Sequence, residues 1–166
     1  MLMLIGYTSP AMSKKKKKGL SGSITNRRAR FDYNLNDSFK AGLVLFGPEV
    51  RSIRSAHVSL QGSFITMKDG EAWLMNAQVM PLKTNAAHLT EDMQIRNRKL
   101  LLKVSELKKL EEAKHQGYSI IPTRILNKGH FIKVEIAIGK GKRQYDKRET
   151  IKKRETERNI RREYKR

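Results

Sequence analysis

The sequence predicts a mainly β fold, a small closed or partly open antiparallel barrel with flanking α-helices and a basic C-terminal tail. Three observations predict it. Apolar and polar residues alternate through several short runs, the period of half-buried strands. Gly, Pro and an Asp-Gly pair separate those runs, leaving six or so strands and few helices. The last 28 residues, "GKGKRQYDKRETIKKRETERNIRREYKR", hold 13 Lys or Arg and almost nothing that packs.

Each element follows from a local pattern. "FDYNL" at 31–35 alternates and reads as a strand. The apolar run Leu43–Phe46 is closed by Gly47 and Pro48, and Pro suits the first turn of a helix with Glu49 at its positive end. Residues 48–55 are therefore expected to form a short helix, with Val50 and Ile53 inward and Arg51 and Arg54 outward. "SFITMKDGEAWLM" gives two strands around Asp69-Gly70, a pair suited to a two-residue hairpin turn. "AQVMPL" adds a strand before a polar loop at 83–95. "RNRKLLLKVSELKKLEEAKHQG" reads as the clearest helix, since Leu100, Val104, Leu107 and Leu110 follow a helical period and Gly117 supplies a stop. "YSIIPTRIL" and "HFIKVEIAI" are strands; Pro122 confines the first to an edge or a bulge, and Ile132, Val134, Ile136 and Ile138 give the second an aliphatic face.

Charge divides the chain. Of 166 residues, 36 are Lys or Arg and 16 are Asp or Glu, for a formal charge of +20. Residues 1–30 carry eight basic and no acidic residues, and 139–166 carry 13 basic against five acidic. The body between them is nearly balanced, so two basic arms flank it. The organisation expected is a disordered basic arm at 1–25, a body at 26–138 and a tail at 139–166. "MSKKKKKG" reads as a polar N-terminus, which makes Met12 the expected true start. Lys14–Lys18 follow the short apolar opening instead of preceding it, unlike a secretory signal. No segment approaches the ~20 apolar residues of a membrane span. The absence of Cys excludes disulfides, a thiolate nucleophile and Cys-based zinc sites, and is compatible with a reducing cytoplasm.

The tail's Tyr145, Ile151, Ile160 and Tyr164 share no helical face, so nucleic acid is favoured over a membrane surface. Pattern and charge together point to a barrel of the oligonucleotide-binding type. Glu149–Lys153 and Glu157–Arg161 are favourable i,i+4 pairs, worth ~0.2–0.5 kcal/mol each, yet a short charged helix alone is marginal in water. The expectation is a tail disordered when free and helical against phosphates, with Tyr145 and Tyr164 able to stack on bases. Catalysis finds no constellation. His57, His88, His115 and His130 lack ligand spacing, Glu91-Asp92 and Glu111-Glu112 are adjacent rather than convergent, and "GKGKR" lacks Walker spacing. A binding protein without cofactor or metal is expected.

"NRRARFDY" at 26–33, "AGLVLFGPEVRSIR" at 41–54, "RKLLL" at 98–102 and "GKGKRQYDKRETIKKRE" at 139–155 resemble the SsrA-binding protein (SmpB) family, nearly throughout after residue 24. The resemblance implies an oligonucleotide-binding-type barrel that binds the tRNA-like domain of transfer-messenger RNA (tmRNA). It implies delivery, with elongation factor Tu and GTP, to bacterial ribosomes stalled without a stop codon. It further implies a cytoplasmic monomer whose tail folds in the empty messenger channel near the small-subunit decoding centre. By matching position, the implied tmRNA-facing residues are Asn26, Arg27, Arg28, Arg51, Arg54, Arg98, Lys99 and Leu101. The implied tail residues are Lys140, Lys142, Arg143, Asp146, Lys147 and Arg148; Tyr145, Lys152 and Lys153 join them as stacking and basic tail positions. The sequence departs from the family pattern at Lys40, Ala56, Gly62 and Lys103. The competing readings are a ribosomal or general RNA-binding protein with basic arms, and an RNA-modifying enzyme.

Overall fold

A computed structural model of the chain describes residues 22–84, 86–127 and 129–164. The expected start at Met12 and most of the N-terminal arm lie outside the described residues, but the arm's last three form a strand, β1 (Ser23–Thr25). Then follow α1 (Arg27–Asp32), β2 (Tyr33–Leu43), α2 (Gly47–Arg54), β3 (Val58–Ser59), β4 (Phe64–Lys68), β5 (Glu71–Met75) and β6 (Gln78–Val79). A 3-10 turn (Ala86–His88), α3 (Glu91–Ile95), β7 (Arg98–Leu101), α4 (Val104–His115), β8 (Ser119–Asn127), β9 (Ile132–Gly141) and α5 (Gln144–Glu163) complete it.

The larger sheet is antiparallel and closes on itself. β8 pairs with β4, β4 with β5, β5 with β7, β7 with β2, β2 with β9, and β9 returns to β8. β1 takes the stretch of β8 edge that β4 leaves, with Ile24 opposite Ile125. The small β3–β6 pair lies apart. The mainly β antiparallel class expected from the sequence is thus borne out. Closure removes most free edges, and alternation then sends one side chain of each pair inward. Ile65, Leu74, Leu100, Ile120, Ile125, Val134 and Ile136 fill the interior, and Leu110 and Ala113 of α4 are buried with them.

Local chemistry explains the joints. Asp69 and Gly70 both have positive φ, 53° and 72°, the turn the hairpin needs. α4 is closed off by Gly117, φ 80°, two residues past its end, with the amides of Gly117 and Tyr118 bonding back to Lys114 and Ala113, a Schellman closure. Pro122 lies where the β8–β9 register shifts, so its missing donor costs no ladder bond. Asn26 caps α1: its carbonyl accepts from the Ala29 amide at 3.2 Å, and its amide donates to Leu60 O at 2.9 Å and Pro122 O at 3.0 Å. One buried side chain therefore ties α1 to two distant segments.

Three sequence expectations are corrected. "RNRKLLL" does not begin the helix: Arg98–Leu101 is strand β7, and α4 starts only at Val104. The short apolar run Leu100–Leu102 fits either period, and pairing with both β2 and β5 selects the strand. The strand expected at 31–35 starts at Tyr33, because the Asn26 cap winds Arg27–Asp32 into α1. The polar loop at 83–95 contains a 3-10 turn and α3.

Across the β8–β9 ladder Arg124 stands opposite Glu135 and holds it by Nε–Oε2 at 2.5 Å and Nη2–Oε1 at 3.1 Å. The Arg124 hydrogen bond, its charge and Lys40 pull the Glu135 carboxyl below its ordinary value of 4.5, against the opposing effect of burial. A carboxyl depressed in the folded state stabilises above its unfolded value and loses that contribution as pH falls through the folded value. Urea midpoints measured from pH 6 downward should therefore fall more steeply below about pH 4.5 for the wild type than for Glu135→Gln. Equal slopes would remove the pair from the account of acid stability.

Candidate nucleic-acid interface

The outward face of β7, β2 and β9 carries the first group of candidate residues. Opposite pairs are Trp73 and Lys99, Gly42 and Leu101, Gly42 and Lys133, and Lys40 and Glu135. Leu101 is 54% exposed and Lys99 half-buried, its ammonium paired with Glu71. The family departure Lys40 thus adds a cation to this face next to Glu135.

α2 borders the face and exposes Arg51 and Arg54, as its sequence predicts, while Ile53 is buried and Val50 half-buried. Both ends of the helix are tied down. At its C-terminus Arg54 donates to His130 O at 3.1 Å, and Asn127 donates to Arg54 O at 3.3 Å. At its N-terminus Glu49, fully buried, accepts the Phe46 amide at 2.7 Å, Arg96 Nε at 3.0 Å and Arg98 Nε at 2.9 Å.

Arg98 does not reach the surface. It is 1% exposed, and its remaining donors go to the carbonyls of Ala77, Arg96, Met93 and Gln94. All five guanidinium N–H groups are spent inside the protein. Burial draws its pKa below the ordinary value while the Glu49 carboxylate pushes it back up. Arg98 and Asn26 are the two candidates that the structure places in the interior.

The second group gathers where the barrel meets the tail. Arg27 and Arg28 are exposed on α1, and Arg28 pairs with Asp32 at 3.3 Å. Tyr33 stands opposite Gly141, and the Lys142 amide donates to Asp32 O at 2.8 Å while its Nζ reaches Arg30 O at 3.3 Å. Lys140 is exposed, and the Arg143 amide donates to Asp146 at 3.2 Å in the first turn of α5. Beyond this root, Tyr145, Arg148 and Lys152 are exposed on α5. Lys147 and Lys153 lie on the same helix, and their side chains fall outside the described set. The candidates thus form two basic regions: the sheet face with α2, and α1 with the tail.

Several participants escaped the sequence. Glu49 was read only as a helix-dipole residue, and Arg96 not at all; its guanidinium stacks 4.1 Å from the Phe46 ring centroid. Phe131, 77% exposed just before β9, could have been found as the aromatic residue that starts the alternation of Lys133 and Glu135. Two departures gain a cause: Ala56 and Gly62 both have positive φ, 62° and 74°, so Ala56 holds a conformation that glycine accepts without strain. Among the described residues no group of His, Asp or Glu could hold a metal ion, and no helix is long and apolar enough to cross a membrane.

Comparisons with known proteins identify the family. The family described as SmpB protein matches residues 23–166. An SsrA-binding protein of Pseudomonas syringae pv. tomato is 47% identical over 150 residues, covering 89% of this chain and 93% of the relative. One from Pseudomonas entomophila is 45% identical over the same length and shares. A chain from the solved structure "tmRNA-SmpB: a journey to the center of the bacterial ribosome" superposes with TM-score 0.62 at 34% identity, covering 78% of this chain and 94% of that one. On residues, fold and relatives alike, the chain belongs to the SmpB family.

Proposed function

We propose that this protein is an adaptor, not an enzyme, that binds the tRNA-like domain of tmRNA and brings it to stalled ribosomes for trans-translation in the cytoplasm. The observation that carries the reading is the separation of two basic regions on one chain, a braced face on the barrel and a helical tail beyond it. A protein that only coats RNA gains nothing from that division. One that must hold an RNA and also probe a second RNA site needs both.

The barrel face offers Arg51, Arg54, Lys99 and Leu101 for direct contact with the tRNA-like domain, and Arg27 and Arg28 meet it from α1, where the barrel joins the tail. Asn26 and Arg98 contribute from inside, by fixing α1 and α2. Tail residues Lys140, Lys142, Arg143, Tyr145, Asp146, Lys147, Arg148, Lys152 and Lys153 face ribosomal RNA in the empty messenger channel by the decoding centre. Elongation factor Tu with GTP travels on the same complex, and the protein acts as a monomer.

Every described α5 side chain except half-buried Asp146 is exposed, so those side chains draw no support from the core. Its coding is local: Asp146 over the first amides and acidic-to-basic i,i+4 pairs. Such a helix is marginal in water and gains its stability from phosphates.

Two outcomes are expected. Deleting residues 140–166 should leave tmRNA binding within about threefold while abolishing peptide tagging in a reconstituted stalled-ribosome assay. Tagging by the truncated protein would sink the division of labour. Circular dichroism of the full chain minus that of the truncated one should show little tail helix in dilute buffer and a clear gain with RNA. A difference spectrum already fully helical without RNA would refute folding on arrival.

A further inference from the structure

The apolar residues on the barrel's basic face have no role in a purely electrostatic account. A groove of about 270 Å³ runs between β2, β7 and the start of β9, lined by Gly42, Leu45, Val50, Leu101, Phe131 and Lys133 among others. Its rim brings together two large exposed apolar side chains, Phe131, 77% exposed, and Leu101, 54% exposed. Gly42 makes the groove possible. A Cβ there would stand 3.2 Å from Leu101 Cβ and press the leucine outward.

We propose that Phe131, backed by Leu101 over Gly42, is a stacking subsite for one unpaired RNA base. The inference rests on the RNA-binding reading above and adds a residue and a contact type to it. Charge selects the occupant. Lys133 adjoins the groove on β9, Arg54 is bonded to the carbonyl of His130, the residue before Phe131, and Arg51 lies one turn back on α2. An aromatic ring with cations on neighbouring elements suits a base whose flanking phosphates those cations meet, and suits an apolar peptide poorly. A duplex hides its base faces, so only an extruded or loop nucleotide can use the ring.

The test measures binding of the full-length protein to two probes: the transcribed tRNA-like domain of tmRNA and a blunt RNA duplex of similar length. Since base–aromatic stacking is worth about tenfold or more in affinity, Phe131→Ala should lose roughly tenfold on the tRNA-like domain and nothing on the duplex. Phe131→Tyr and Phe131→Trp should bind as the wild type, Phe131→Leu should stay weak, and the salt slope should not change, because stacking releases no counterions. Full rescue by leucine, a reduced slope or an undiminished alanine variant would overturn the stacking role. A change in sedimentation of the RNA-free alanine variant would overturn it too, by making the groove a contact between copies. Wild-type protein that holds duplex as tightly as the tRNA-like domain would instead break the functional reading, whichever way Phe131 behaves.

Discussion

The ion pair between Glu49 and Arg98 holds together what the rest of the molecule uses. It joins the first turn of α2 to β7, and Arg98 continues to the carbonyls of Ala77, Met93 and Gln94, so four segments meet at one guanidinium. Neither charge meets water. Removing one partner of such a pair typically costs about 3–5 kcal/mol, because the other stays buried without compensation. The pair is weak evidence for net stability and good evidence for a defined geometry. Every donor of Arg98 is aimed, so α2 cannot slide along β7 without losing several bonds at once.

From that constraint follows a contrast in stiffness. The barrel closes through paired strands, α2 is tied at both ends, and Asn26 pins α1 to Leu60 and Pro122. The cations on this part of the molecule are displayed by a rigid frame, as shape recognition requires. The tail is held at its root by Lys142 on the carbonyls of Asp32 and Arg30, and the residues described beyond it are mostly exposed. A braced face and a basic arm beyond it suit the two RNA encounters proposed for this protein.

Much of this was legible in the sequence, for identifiable reasons. β8 and β9, the Asp69-Gly70 hairpin and α2 were readable because their periods and turn residues act locally. β7 was not, since Leu100 and Leu101 suit a helix as well as a strand and only distant partners decide. Arg98 and Asn26 were taken with the surface candidates by their match to the family pattern, because sequence records residue type and not burial. Glu49 was assigned to the helix dipole, a local reading of a residue whose main partners lie 47 and 49 positions away. Ala56 was noticed as a departure, and its positive φ supplies the physical content.

The central claim is that Glu49 and Arg98 act on RNA binding by orienting α2. A double-mutant cycle tests it, with Glu49→Gln and the Arg51→Gln/Arg54→Gln pair combined, reading the salt dependence of affinity for the tRNA-like domain well below each variant's melting temperature. Each lost phosphate contact should flatten the slope by about 0.7–0.9. If the account holds, Glu49→Gln flattens the slope as the α2 arginine variant does and adds nothing further in its background. An unchanged slope with Glu49→Gln, or losses that simply add, would mean that the pair only stabilises the fold and that α2 finds its place without it.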